Sequence, residues 1–372
     1  MSDPQLETLK RSTRDPVVLR ARLEAWLARR LPSDAGATVA DVRSPSATGM
    51  SSETLLFDAS WTEAGGRRER ALVARVAPDP SDVPVFPRYD LAAQFRLLEI
   101  VAAHSAVPVP RVRWLEEDPA HLGAPFFVMD RVEGRVPPDV MPYNFGSWVS
   151  EASAAERRQL QDAAVGVLAT LHGIDVRAVD VSFLALDVSG TTPLRRQIEH
   201  QRRYYEWARG DRHHPIVERA FAWLDAHWPR DEGPTVINWG DARIGNMLFS
   251  GFEPVAVLDW EMAALGPREV DLGWFLFLHV FFEDLAHQFN LPGLPDFLRC
   301  DDVARTYEAR SGHRVRDLAF YQAYAALRHA IVMARVHARR VHFGEAEWPA
   351  DPDEVIPHRG ILARMLDGTW TG

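Results

Sequence analysis

Hydrophobic residues recur along this chain with two different periods, and the period changes from one region to the next. Four leucines at four-residue spacing predict an amphipathic helix from Pro16 to Leu31, which Pro32 would end. The pattern then shortens, because Thr54–Trp61 and Arg70–Val76 are apolar or alternating and flank a pair of glycines. These two stretches predict a β-hairpin.

Helical spacing returns from Tyr89 to Ala103, and extended stretches follow at Arg111–Leu115 and Phe126–Asp130. Beyond Gly134 most patterns are helical, with two short extended interruptions. The predicted helices and interruptions are Ala155–His172, Pro193–Arg209, Pro215–Trp228, Thr235–Asn238 and Val255–Leu258. The very apolar run Leu272–Phe282 is about half as long as a bilayer-spanning helix, so we predict a buried helix there.

This order predicts an α+β fold with two lobes. We expect a leading helical segment over residues 1–40, a small β-sheet lobe over 41–135 and a larger helical lobe over 136–372. Ligands would bind in the cleft where the two lobes join.

Charge and composition narrow the range of molecules that this protein could bind. The 42 Lys and Arg against 52 Asp and Glu give a net charge of −10, which argues against a general affinity for nucleic acid or anionic membranes. Small molecules are therefore the expected partners. A polar N-terminus and a single cysteine, Cys300, favour a cytoplasmic protein. The oligomeric state stays open.

Candidate chemistry is concentrated in Asn238–Phe249 and the strand that follows it. Asp241 and Asn246 lie five residues apart in a glycine-flanked loop, and Asp259 ends a short apolar stretch. Phosphoryl transfer from ATP needs a carboxylate to orient the attacking hydroxyl and hard oxygen ligands for Mg²⁺, and these residues supply both. Arg243 could offset charge on the transferred group. The alternative is a surface turn rich in Asp and Asn.

Several further segments complete a family pattern. They are Ser46–Thr54, Leu72–Arg75, Val107–Arg111, Pro125–Gly134, Trp239–Phe249, Val257–Glu261 and Gly266–Gly273. With them the chain resembles the aminoglycoside phosphotransferase and choline kinase family, which has a protein-kinase-like fold, and in particular its bacterial aminoglycoside phosphotransferase branch. The resemblance implies an ATP- and Mg²⁺-dependent enzyme that transfers the γ-phosphate to a hydroxyl of a small molecule.

The resemblance also implies individual roles. Asp241 would be the catalytic base, Asn246 and Asp259 the Mg²⁺ ligands, and Asp271 the residue that fastens the catalytic loop through its backbone amides. The remaining implied residues contact the nucleotide. They are the phosphate-covering turn Thr48, Gly49, Met50, Ser51 and Ser52, the phosphate contact Arg75 with its partner Gln94, and Met129, Asp130 and Val132 at the adenine.

Three positions depart from the family pattern. Arg75 stands where a Lys is usual, Gln94 replaces the Glu that pairs with it, and Trp239 replaces a His before Gly-Asp. Asp90, one turn before Gln94, could pair with Arg75 instead, or could be a solvated residue at a helix start. The altered pair motivates one alternative, a nucleotide-binding pseudokinase that acts as a sensor or scaffold. A plain interaction protein with the same fold is a further alternative.

Other residues receive weaker interpretations. Glu261 could face a metal but is more typical of a hydrated or Arg-paired carboxylate, and the pair His213–His214 is expected to be solvated. Aromatic residues of the apolar run are expected in the core, namely Trp274, Phe275, Phe277, Phe281 and Phe282. Candidate carboxylates for binding a polycationic aminoglycoside are Glu206, Asp211, Glu283 and Asp284. A sugar, an amino alcohol or a hydroxyacyl thioester stays open as the acceptor.

Overall fold

The structure, a computed structural model, describes residues 16–44 and 53–370. The chain divides into two compact units. The N-terminal unit comprises the described residues up to Glu99 together with Pro110–Arg131, and the C-terminal unit comprises Ile100–Val109 and the residues from Val132 onwards.

The N-terminal unit is built on a five-stranded antiparallel sheet. Its elements are α1 (Pro16–Arg30), β1 (Thr38–Arg43), β2 (Glu53–Glu63), β3 (Gly66–Val76), β4 (Val112–Glu116) and β5 (Phe126–Asp130), and α2 (Leu91–His104) starts in this unit. The strand order is β1-β2-β3-β5-β4. Leu23, Trp26 and Leu27 of α1 pack in one buried cluster with Phe57 and Phe126 of the sheet. The leading helix therefore shares the core of the sheet.

The predicted hairpin is present, with longer strands than its apolar pattern indicates. β2 and β3 pair from Glu53 opposite Val76 to Glu63 opposite Gly66. Only Ala64 and Gly65 connect them, and both have positive φ, at 50° and 79°. Such a two-residue turn matches the twist of the strands that it joins.

The C-terminal unit is mainly helical. Its elements are α3 (Ala154–Leu171), α4 (Pro193–Arg209), α5 (Pro215–Ala226), β6 (Val236–Asn238), β7 (Met247–Ser250), β8 (Glu253–Val257), β9 (Ala264–Gly266), α6 (Glu269–Gln288), α7 (Cys300–Ser311), α8 (Leu318–His342) and α9 (Arg359–Leu366). β6 pairs with β9, and β7 pairs with β8, both antiparallel. These two short ribbons position the loop that carries the candidate chemistry.

Helix α6 contains the most apolar run of the chain, and the prediction of a buried helix there is confirmed. Residues Val270–His279 of this helix are all buried. It packs against α8. Across the described ranges, each helix is too short or too polar to cross a bilayer.

Candidate active site

The loop between β6 and β7 is fixed by a carboxylate from the first turn of α6. Asp271 accepts hydrogen bonds from the backbone N–H groups of Trp239 (2.8 Å) and Gly240 (2.9 Å). Its own position is held by His172, whose Nε2 lies 3.0 Å from Asp271 Oδ2. All of this is buried, so the loop-fastening role that the resemblance implied for Asp271 is confirmed.

The loop also requires a glycine. Gly240 has φ +91°, and a Cβ at this position would lie 2.1 Å from the carbonyl oxygen of Met262. No other residue type fits without moving one of the two segments.

Asp241 is held by three donors. Asn246 Nδ2 lies 2.7 Å from its Oδ2, while Trp274 Nε1 (2.8 Å) and Arg243 Nε (3.0 Å) both bond to its Oδ1. Burial, followed by the like charge of Asp259, raises the pKa of Asp241 to about 7. An oriented carboxylate with a raised proton affinity is suited to accept a proton from a hydroxyl.

Arg243 connects two carboxylates. Besides Asp241 it bonds through Nη1 to Asp139, a residue that the sequence did not single out. A Cβ at position 245 would clash with the Asp139 carboxylate, so Gly245 makes room for this pair. Burial lowers the pKa of Arg243 to about 10, and the charges of Asp259 and Glu261 act in the opposite direction. The guanidinium therefore stays charged at neutral pH.

Asn246 and Asp259 come from the ends of the β7–β8 ribbon. The backbone N–H of Leu258 bonds to Asn246 O (2.9 Å), and the indole N–H of Trp239 bonds to Leu258 O (2.8 Å). Asp259 has a left-handed backbone, with φ 62°. Trp239 thus joins the loop between β6 and β7 to the Asp259 segment.

The donor set around Asp241 fits a hard cation. The amide nitrogen of Asn246 makes both of its side-chain hydrogen bonds, to Asp241 Oδ2 and Asp241 O, so its carbonyl oxygen is directed elsewhere. The repulsion between Asp241 and Asp259 would be relieved by a divalent ion. Within the described ranges no cluster of three or more His, Cys, Asp or Glu side chains forms a metal cage. Few protein ligands are typical of Mg²⁺, which keeps water and phosphate oxygens as ligands.

Besides Asp139, two residues of this site have contacts that the sequence did not predict. Trp274 is buried as predicted, yet its indole N–H also contacts Asp241. Arg328 of α8 donates from Nη2 to Gly240 O (3.1 Å), and its guanidinium lies 4.5 Å from the centre of the Trp274 ring. Its side chain is buried, with 4% exposure of the residue. Neither contact has a local sequence signal.

The predicted nucleotide residues are partly described. Thr48, Gly49, Met50, Ser51 and Ser52 lie outside the described residues. Arg75 is on β3 opposite Thr54, and its Nη1 donates to Thr54 Oγ1 (3.0 Å). Gln94 is buried on α2. Asp90 caps this helix by accepting from the Ala93 N–H and pairs with Arg88.

Met129 and Asp130 end strand β5, two residues before Val132. The backbone N–H of Asp130 bonds to Arg111 O (2.9 Å), and its carboxylate binds Arg113 in a two-pronged ion pair. Asp130 can therefore offer only its carbonyl oxygen to a base.

One weaker interpretation needs correction. His213 is exposed and bonded to Glu218, but His214 is buried at the start of α5, and its backbone N–H bonds to the hydroxyl of Tyr205. The expectation of a solvated pair is thus wrong for His214. Among the candidate acceptor carboxylates, Glu283 accepts from Asn144 and from the Leu294 N–H. Asp284 pairs with Arg364, while Glu206 and Asp211 are exposed.

An antiparallel five-stranded unit, a helical unit and an Asp–Asn loop fastened by a buried carboxylate define a kinase-like small-molecule phosphotransferase. The chain belongs to the phosphotransferase enzyme family APH, whose family model matches residues 56–294. The family and the α+β fold predicted from the sequence are therefore confirmed, and the protein is an enzyme of this class.

The proteins that this chain is similar to have names of two kinds, aminoglycoside phosphotransferase and acyl-CoA dehydrogenase family member. A Ralstonia eutropha protein assigned to the aminoglycoside phosphotransferases has a crystal structure with TM-score 0.67 and 25% identity, covering 94% of this chain and 97% of that one. A thermostable mutant of aminoglycoside phosphotransferase APH(4)-Ia, solved with ADP and hygromycin B, shares the fold at TM-score 0.52 and 17% identity, covering 91% and 98%. Mouse acyl-CoA dehydrogenase family member 10 is 26% identical over 286 residues, which is 73% of this chain and 25% of the mouse protein. The chain thus spans about a quarter of that relative.

Proposed function

We propose that this protein transfers the γ-phosphate of ATP to a hydroxyl of a small molecule. The observation that carries the proposal is the carboxylate of Asp241, which three donors hold beside Asp259. In the step itself, the acceptor oxygen bonds to the γ-phosphorus, the bond from that phosphorus to the bridging oxygen of ADP breaks, and Asp241 takes the hydroxyl proton. Arg243 orients Asp241 and supplies positive charge near the transferred group.

The other site residues take the roles that the family resemblance implies. Asn246 and Asp259 would hold Mg²⁺, which when bound neutralises charge on the phosphates. In the N-terminal unit, Arg75 would contact the phosphates, and the carbonyl of Asp130 would contact the adenine. Gln94, Met129, Val132 and the turn from Thr48 to Ser52 complete the proposed nucleotide contacts.

We further propose an anionic acceptor, a hydroxyacyl thioester of coenzyme A. The positive charges beside the loop support it. Arg328 donates to Gly240 O, and the pKa of His200 of α4 is lowered by burial and then by the charges of Arg328 and Arg203. Two turns further along α8, the guanidinium of Arg335 lies 4.1 Å from the ring centre of Trp207. Guanidinium groups suit phosphates and would repel a polycationic aminoglycoside, and an aromatic ring suits a purine.

The mouse relative supports the same acceptor. It is named as an acyl-CoA dehydrogenase family member, and this chain matches only a quarter of its length. A phosphotransferase region joined to a dehydrogenase for acyl-CoA would act on a related thioester.

The test is a panel of acceptors scored by ADP release and by mass gain of the acceptor. The panel contains 3-, 4- and 5-hydroxyacyl-CoA thioesters, kanamycin, choline and glucose. We expect turnover with a thioester and none with kanamycin, and loss of turnover in Asp241→Asn but not in Asp225→Asn, an ion-paired carboxylate on α5. Turnover that survives in Asp241→Asn would refute the mechanism, and turnover with kanamycin alone would refute the acceptor.

Binding of MgATP without turnover of any acceptor would favour a nucleotide sensor. The observation behind this second candidate is Arg75 with a buried Gln94 where the family has Lys and Glu. A thermal shift with MgATP measures the binding, since a ligand that binds only the folded state raises the midpoint.

A further inference from the structure

Two histidines lie side by side next to the catalytic loop, and the proposed mechanism uses neither. His358 is fully buried just before α9, and His329 is partly exposed on α8. Their Nδ1 atoms are 3.2 Å apart. The other nitrogen of His358, Nε2, lies 2.9 Å from the carbonyl oxygen of Ala326.

These contacts fix where the protons are. A carbonyl oxygen can only accept, so His358 Nε2 must carry a proton and donate it to Ala326 O. Neutral His358 then has a lone pair on Nδ1, and His329 must donate its own Nδ1 proton to it. His329 Nε2 is left as a lone-pair acceptor on the opposite side of the ring.

The surroundings keep both rings neutral. Phe277 and Phe281 contact each imidazole. Burial, followed by repulsion from the positive charges that His358 and Arg243 can carry, lowers the pKa of His329 well below its ordinary value, and burial lowers that of His358 to about 4. The tautomer chain therefore persists at neutral pH.

His329 is also close to the catalytic machinery. Its ring makes an edge contact with Trp274, at 6.2 Å between ring centres, and Trp274 binds Asp241. The positive charge of Arg243 is close enough to contribute to the lowered pKa of His329. Within the described ranges, Nε2 of His329 has no hydrogen-bond partner.

From this geometry we infer that His329 Nε2 is a fixed hydrogen-bond acceptor for an N–H or O–H group of the phosphate acceptor, with His358 as the positioning residue that sets its tautomer. In the proposed thioester such donors are the amide N–H groups of the pantetheine arm. This inference builds on the proposed function, but the tautomer chain can be measured without turnover.

The first test is spectroscopic. Long-range proton–nitrogen correlation on histidine-labelled protein should show His329 protonated on Nδ1 and His358 on Nε2. His358→Phe removes the acceptor of the His329 Nδ1 proton, so His329 should change to a mixture of tautomers that includes the Nε2-protonated form. An Nε2-protonated His329 in the wild type would overturn the inference, whatever the acceptor panel shows.

The second test is kinetic and uses the thioester that turns over. Loss of one neutral hydrogen bond should raise the acceptor KM by about three- to tenfold in His329→Leu. The effect on kcat should be smaller, and His329→Gln, which keeps an acceptor at the ε position, should recover part of the loss. His337→Leu, the same change two turns along α8, is the control because His337 contacts Trp348 and the Glu347 carbonyl instead.

An unchanged acceptor KM in His329→Leu would refute the binding role, as would an equal rise in His337→Leu. If no thioester turns over, the acceptor assignment fails, and the tautomer measurement alone then decides on the histidine pair. The two proposals can therefore fail separately.

Discussion

Replacement of Trp274 by Phe tests how the carboxylate of Asp241, the proposed base, is oriented. The indole N–H lies 2.8 Å from Asp241 Oδ1, and the residue is 3% exposed. Phe keeps a buried ring under the Arg328 guanidinium but removes the donor. A hydrogen bond to a charged group contributes about 1.5–3 kcal/mol. If it holds the carboxylate in line in the transition state, kcat should fall by about 10- to 150-fold.

The assay measures kcat and KM for ATP by ADP release, with thermal unfolding of each variant alongside. We expect little change in the KM for ATP, because the proposed nucleotide contacts are made by other residues. Trp26→Phe is a matched control, since the buried indole of Trp26 donates to Glu116 Oε2 at 2.9 Å in the N-terminal unit. It should lower stability without lowering kcat. A Trp274→Phe enzyme within twofold of wild-type kcat, or an equal loss in Trp26→Phe, would refute the reasoning.

Three further changes have defined outcomes. Gly240→Ala should abolish turnover and lower the unfolding free energy far more than the control Gly251→Ala. A Cβ at position 251 meets no atom within 4 Å, so this control should lose only the cost of its φ of 59°, about 1–2 kcal/mol. Equal losses of unfolding free energy in the two variants would contradict this. Burial alone would raise the pKa of Glu116, but hydrogen bonds, chiefly from Arg30, lower it to about 2, below the unfolded value. Its carboxylate thus stabilises the fold above about pH 4.3, so the loss of Tm in Glu116→Gln should be full at pH 7 and shrink towards pH 2. A loss of Tm that does not change with pH would contradict this role of the Glu116 carboxylate. Asp271→Asn should leave one buried N–H of the catalytic loop unpaired and cost about 1–3 kcal/mol, measured by denaturant unfolding, with a fall in kcat.

The hydrophobic pattern predicted most of the helices and strands because burial of one face imposes a period on the sequence. Helix α4 has the predicted bounds, and α3 and α5 differ from prediction by one or two residues. The hairpin strands extend further than predicted. The prediction stopped short because the residues near the turn are exposed and polar. Backbone pairing, from Glu63 opposite Gly66, continues there without an apolar signal.

The sequence also predicted that one loop brings Asp241 and Asn246 together, and Asn246 Nδ2 lies 2.7 Å from Asp241 Oδ2. Asp259 follows β8, the second strand after this loop. Local spacing sufficed, because backbone geometry alone brings residues five apart together in a tight loop. The family pattern added Asp271. Its contacts with the loop cross 31 and 32 residues, and no local rule relates them.

The sequence by itself therefore determined the elements, the family and the residues of the loop. Only the tertiary structure decided what surrounds Asp241: Asp139 reaches Arg243 across 104 residues, Trp274 reaches Asp241 across 33, and Arg328 reaches Gly240 across 88. The same holds for the tautomer of His329, which His358 sets from another element. Packing brings these groups together, and side-chain hydrogen bonds between distant elements impose no period on the sequence that could announce them.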